Sequence, residues 1–102
     1  MDRRLNLQTE LETILGSRNV YFEPPESVKM NYPAIVYSRS SGDTKFADNH
    51  TYHFVQSYEV IVIDKNPDSP FSKKIIEHLP MSRYDRNFKA DNLNHDVVNI
   101  YY

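Results

Sequence analysis

From residue 52 to residue 65 the chain reads Tyr-His-Phe-Val-Gln-Ser-Tyr-Glu-Val-Ile-Val-Ile-Asp-Lys, its longest run suited to a pleated surface. Val55, Val60, Ile61, Val62 and Ile63 are β-branched and Tyr52, Phe54 and Tyr58 are aromatic, the side chains that pack best on a strand. The first half alternates, with Tyr52, Phe54 and Tyr58 on one face and His53, Ser57 and Glu59 on the other. From Val60 to Ile63 both faces are apolar, as in a strand covered on both sides. The pattern predicts a central strand, half-exposed at its start and buried at its end.

Around this strand the periodicity changes twice to a helical one. Leu7, Leu11, Ile14 and Leu15 form one apolar stripe at i, i+4, i+7 and i+8, which predicts an opening helix. Asn6 is its expected N-cap, and Gly16 stands where a C′ glycine ends a helix. A second stripe, Phe71, Ile75, Ile76 and Leu79, predicts another helix with Ser69 as N-cap, Pro70 at the first helical position and Pro80 as its stop.

Between them lie Val20-Tyr21-Phe22, a short strand cut off by Pro24 and Pro25, and a strand from Ala34 to Ser38 that Pro33 can start but not interrupt. Residues 38–49 turn polar, with Phe46 as the one large apolar side chain, and predict a long connection between two strands. The last quarter predicts two strands, near residues 83–88 and 96–102, joined by residues 89–94, where Asp91-Asn92 suits a tight turn. The order α-β-β-β-α-β-β predicts an α+β fold: a largely antiparallel sheet with two helices on one face.

Composition narrows the class. A length of 102 residues predicts a single domain, 1–102. The mean hydropathy of -0.67 is polar for so small a chain, and eight tyrosines supply much of its apolar area. Such rings suit either the edges of a sheet or a surface that meets a partner. The net charge of -2 argues against general nucleic-acid binding, which needs a basic excess. Without cysteine there is no disulfide framework, no thiolate chemistry and no zinc site of the Cys type. No run is apolar enough for a signal peptide or a membrane span, so the expectation is a cytosolic protein that engages no membrane.

Chemistry is sparse. His50, His53, His78 and His95 lack metal-site spacing; His50 and His53 with Asp48 could pinch an ion, but a polar loop rim accounts for them more simply. Two glycines exclude a P-loop and a dinucleotide fingerprint. The serines lie in loops, and Asp64, Asp68, Asp85, Asp91 and Asp96 stand at turns and strand ends, where aspartate caps the backbone. The expectation is a protein without catalytic residues, metal or cofactor, and not an enzyme.

Several short runs carry a resemblance. Val20-Tyr-Phe-Glu-Pro-Pro-Glu, Met30-Asn-Tyr-Pro-Ala-Ile-Val-Tyr, Tyr58-Glu-Val-Ile-Val-Ile-Asp with Asn66-Pro-Asp-Ser, and Arg86-Asn-Phe-Lys-Ala-Asp-Asn-Leu-Asn-His resemble the small tail-completion proteins of siphophages and prophages of Gram-positive bacteria. These are the tail terminators, also described as minor capsid or head-tail joining proteins. The resemblance runs in order from about Leu7 to Tyr102, and its most specific part is Asp91-Asn-Leu-Asn-His95.

It implies an α+β structural subunit that forms a hexameric ring, caps the finished tail tube of major tail protein and then faces the head connector. It places the protein in the host cytoplasm during assembly and in the virion tail afterwards. Arg83, Asp85, Arg86 and Tyr101 are the candidate subunit-interface residues, because a guanidinium fork pairs bidentately with carboxylates across a boundary. In the resembled family a loop projects toward the tube, and residues 38–49, with Asp43, Lys45 and Phe46, are the candidates for it. A solvated sheet edge explains the same charges on a monomer. A head-closure or connector-completion protein, a binding module unrelated to phage and a small hydrolase stand as alternatives.

Overall fold

Two helices lie on one face of a five-stranded sheet, and the described residues of the computed structural model are 3–25, 27–40 and 56–102. The elements follow in the order α1 (Arg3–Leu15), β1 (Val20–Phe22), β2 (Ala34–Arg39), β3 (Ser57–Asp64), α2 (Phe71–His78), β4 (Ser82–Ala90) and β5 (Leu93–Tyr101). Across the sheet the order is β1-β2-β3-β5-β4. The single parallel pairing is β1 with β2; the others are antiparallel, so the α+β expectation holds.

The central strand is β3, third of the five, laddered to β2 from Ala34↔Ile63 to Arg39↔Tyr58 and to β5 from Ser57↔Tyr101 to Asp64↔Asn94. Residues 52–55, expected to begin this strand, lie outside the described residues. One face of the sheet carries Val20, Ile35, Tyr37, Tyr58, Val60, Val62, Val98 and Ile100. These pack with Leu7, Leu11 and Leu15 of α1 and with Ile75 and Leu79, from α2 and its C-cap, into one buried cluster. Both helices therefore cover the same face. On the other, Ala34, Ile63 and Val97 are also buried, while Ile61 and Val36 are half-buried.

The helix starts differ from expectation. Asn6 is inside α1, which begins at Arg3, so it caps nothing. The apolar stripe fixes which face is buried but not where the first turn begins. At α2 the cap is Pro70 and not Ser69; Phe71 opens the helix, no side chain caps it, and the Ser69 hydroxyl is buried without a hydrogen-bond partner among the described residues. The Pro70 carbonyl accepts the first intrahelical bond, from the Lys74 N–H at 3.0 Å, as a cap residue does. The other end of α1 is as expected. Gly16 takes φ +80° and its N–H bonds the Glu12 carbonyl at 2.9 Å.

The last two strands are longer than expected. Asp91 and Asn92 adopt φ 52° and 62°, a two-residue turn of the twist that suits a hairpin, so residues 89, 90, 93 and 94 are strand and not connection. Asparagine and aspartate tolerate that left-handed region better than other side chains, which is why the turn can be so short.

Tyr37 joins sheet to helix. Its ring lies tilted against those of Phe22 and Tyr58, with centroids 4.9 Å and 6.0 Å away. Its hydroxyl donates to Gln8 Oε1 at 2.5 Å and accepts from Arg4 Nη1 at 3.2 Å. Burial pushes the Tyr37 pKa above its ordinary value, with the Arg4 guanidinium pulling the other way. The native state thus holds this proton more tightly than the unfolded chain does. The associated stability is complete below the ordinary tyrosine pKa of about 10 and is lost as pH rises through the raised folded value.

Tyr37→Phe is expected to cost about 1 kcal/mol near neutral pH, because Gln8 loses its donor. It should also flatten the alkaline loss of stability; urea unfolding at neutral pH and above pH ~10 checks both. Gly16→Ala is expected to cost about 1–2 kcal/mol from backbone strain alone, since a Cβ at Gly16 would meet nothing within 4 Å. A thermal melt measures it.

Candidate interaction surface

The β4–β5 hairpin forms one side of the sheet, with β4 as the edge strand. Counting outward from the Asp91-Asn92 turn sets Ala90 opposite Leu93, Phe88 opposite His95 and Asn87 opposite Asp96. The register then slips between Tyr84 and Arg86, leaving Asp85 as the extra residue of a bulge. Bulges and charges are common on edge strands, where they limit pairing with other chains.

Asp96 anchors the hairpin. Its Oδ1 accepts from Asn87 Nδ2 at 2.7 Å and from the Tyr84 hydroxyl at 3.2 Å, both on β4. Its Oδ2 accepts from Ser72 Oγ at 3.2 Å, in the first turn of α2. One carboxylate therefore ties the edge strand to the helix layer, close to the positive end of the α2 dipole. Partial desolvation of the Tyr84 hydroxyl raises its pKa, and the Asp96 charge and hydrogen bond raise it further.

On the opposite face of the hairpin, the rings of Phe88 and His95 stack, with centroids 4.6 Å apart and 13° between planes. The Arg86 guanidinium lies 5.8 Å from the Phe88 centroid, and its Nη1 pairs with Asp85 Oδ2 at 2.7 Å. His95 Nδ1 lies 3.0 Å from the Leu93 carbonyl, within reach to donate to it.

Three of the four residues singled out as a subunit interface thus share one edge: Arg83, Asp85 and Arg86 are exposed on β4. Arg86 and Asp85 are already paired with each other, so an ion pair to another subunit would have to share or replace that contact. Tyr101 is half-buried at the end of β5, where its N–H bonds the Met81 carbonyl at 2.9 Å. Asp43, Lys45 and Phe46, singled out for tube contact, lie outside the described residues, as do His50 and His53. His78 is exposed at the end of α2. Among the described residues no group of three His, Cys, Asp or Glu could hold a metal ion, and no helix is long and apolar enough to cross a membrane.

A shallow groove of about 370 Å³ runs between the helices, lined by Thr13, Ile14, Lys74, Glu77 and His78. Its lining carries both charge signs, in Lys74 and Glu77. The Asp96 anchor and the Phe88–His95 stack were not foreseen in the sequence. The signal for both was the Asp91-Asn92 pair, since a two-residue turn fixes every cross-strand partner up to the bulge.

Comparison with known protein families, with curated proteins and with solved structures returns no match.

Asp96→Ala strips the acceptor from Ser72, Tyr84 and Asn87 together and is expected to cost about 1–3 kcal/mol. The accompanying rise in amide exchange should be larger in β4 than in β2, because the loss falls on the hairpin. Asp96→Asn keeps the shape but removes the charge, and should lower the Tyr84 titration midpoint toward the ordinary tyrosine value. NMR titration of the Tyr84 ring reads that shift directly.

Proposed function

We propose that the chain is a structural protein of a phage or prophage tail, which closes the finished tail tube as a ring, six-membered by the resemblance, and joins it to the head connector. The observation that carries the reading is the run from Arg86 to His95. Its second half, Asp91 to His95, is the most specific part of the resemblance, and the run as a whole builds the turn, the Phe88–His95 stack and the outer half of the edge strand. Two further features support it. The α+β architecture is of the kind the resemblance implies, and β4 presents Arg83 and Arg86 to solvent, where a neighbouring subunit could meet them.

Closing a ring requires heterologous contacts, in which one patch of a subunit meets a different patch of the next. The edge with Arg83, Asp85 and Arg86 is one such patch, polar enough that free subunits need not aggregate. Major tail protein on one side and the head connector on the other are the proposed partners. No chemistry is assigned to the chain in this role.

Purified tail tubes mixed with the protein should be bound at one end only, as seen by electron microscopy. Arg83→Glu with Arg86→Glu should weaken ring formation at the tube end at least tenfold, an effect of about 1.4 kcal/mol or more, while the fold is retained. Decoration along the tube wall would remove the reading. Absence of binding, with binding instead to a head connector, would move the protein to head closure.

A further inference from the structure

Beyond the proposed tail role and independent of it, we infer that two copies of the free chain pair through β4 as antiparallel strands, about a two-fold axis at Phe88. Three observations define the geometry. In a hairpin with a two-residue turn the closing pair, here Ala90 and Leu93, is hydrogen-bonded, and bonding alternates from there. The N–H and C=O of Ala90, Phe88 and Arg86 therefore face β5, and those of Asn87 and Lys89 face outward. No other described strand pairs with β4, so among the described residues these four backbone groups form an open edge.

The second observation is the bulge at Asp85, which ends the regular edge. Pairing is confined to residues 86–90, a segment too short for many registers. Centred on Phe88, Asn87 of one copy meets Lys89 of the other, twice, and each such pair exchanges two backbone hydrogen bonds. Arg86 then meets Ala90, so no like charges are directly opposed. Centred on Asn87, the bulge falls inside the paired span and one exchange of bonds is left. Centred on Lys89, two lysines face each other, which is destabilising.

The third observation is Phe88 itself, 38% exposed although its ring is stacked on His95. At the axis the two Phe88 residues form a non-hydrogen-bonded pair, the closer kind, with Cα atoms about 4.5 Å apart. Each ring would then be covered by its symmetry mate, giving a row His95–Phe88–Phe88–His95 on the face away from the helices. Aromatic pairs opposite each other in this way are among the stabilising cross-strand contacts. The contact is isologous, so it closes at two copies and does not grow into a fibre. It covers the stretch of edge that carries Arg86, so a subunit in the pair cannot use that stretch in a ring.

The chain has no cysteine, so single introduced thiols report the contact cleanly. Cα atoms about 4.5 Å apart lie within the range that a disulfide spans. Under mild oxidation Phe88→Cys should form a disulfide dimer much faster than Lys89→Cys, whose two thiols would face asparagines. Lys89→Pro removes an outward N–H that β5 does not use, and two intermolecular bonds per dimer with it. It should weaken association roughly tenfold or more with the fold unchanged by circular dichroism.

Sedimentation of the wild-type chain over a concentration series into the millimolar range reads that association without any substitution. A monomer throughout the series, equal cross-linking of the two cysteine variants, or Lys89→Pro dimerising like wild type would each overturn the pairing. So would an exposed edge that binds a poly-glutamate peptide while the chain itself stays monomeric. None of these outcomes bears on whether the protein binds a tube end.

Discussion

The pairing of β3 on both of its edges is the constraint on which the rest of this structure depends. Val60 lies between Tyr37 of β2 and Val98 of β5, and Val62 lies beside Ile35. These side chains make a continuous apolar strip across three strands. Both helices lie on it, and the strip is completely or almost completely buried. Truncating any one of these residues leaves a cavity under a helix, at a typical cost of about 2–5 kcal/mol for a large aliphatic side chain. The strip that α1 and α2 cover exists only where β2, β3 and β5 lie side by side, so long-range contacts dominate and folding is expected to be slow relative to a helical bundle of this length.

Polar groups do the joining that the apolar strip cannot. The Tyr37 hydroxyl fixes α1 through Gln8 and Arg4. The Asp96 carboxylate fixes α2 through Ser72, and the edge strand through Tyr84 and Asn87. Asp96 stands in the same lateral row as Val62, on the helix-covered face. A carboxylate there is tolerated because three donors reach it and it remains partly solvated. The edge strand is therefore not an independent flap. Its position depends on the first turn of α2, and a change at Ser72 would be felt at Asn87.

Legibility in the sequence followed the strength of the apolar periodicity. β3 was readable because four consecutive β-branched residues have few other homes, and α1 because Leu7, Leu11 and Leu15 fall on one face. Boundaries depended on local polar chemistry, which the apolar pattern does not encode. Asn6 has the side chain of an N-cap but sits within α1, and Ser69 looks like a cap one residue before the proline that takes the position. The ends of β4 and β5 hid behind Lys89, Asp91, Asn92 and Asn94, a polar run that resembles a loop. Two of those residues are the turn, and the others are strand with solvated side chains. The interface candidates Arg83, Asp85 and Arg86 were legible as a cluster of charge. Their common place on an edge strand came from topology alone.

Charge on an edge is usually read as a barrier to association, and on β4 it is better read as a filter on geometry. In a parallel, in-register stack each residue faces its own copy, so Arg83, Asp85, Arg86 and Lys89 would each meet a like charge at strand spacing. That arrangement, the one that extends into fibrils, is penalised at four positions of a nine-residue strand. Antiparallel approach separates those same cations, and the Asp85 bulge then limits how far the ladder can run. The Arg86–Asp85 pair, formed within one strand, also keeps part of the positive charge neutralised before any partner arrives. An edge built in this way excludes open-ended growth while leaving Phe88 and the outward backbone of Asn87 and Lys89 available to one short, antiparallel neighbour.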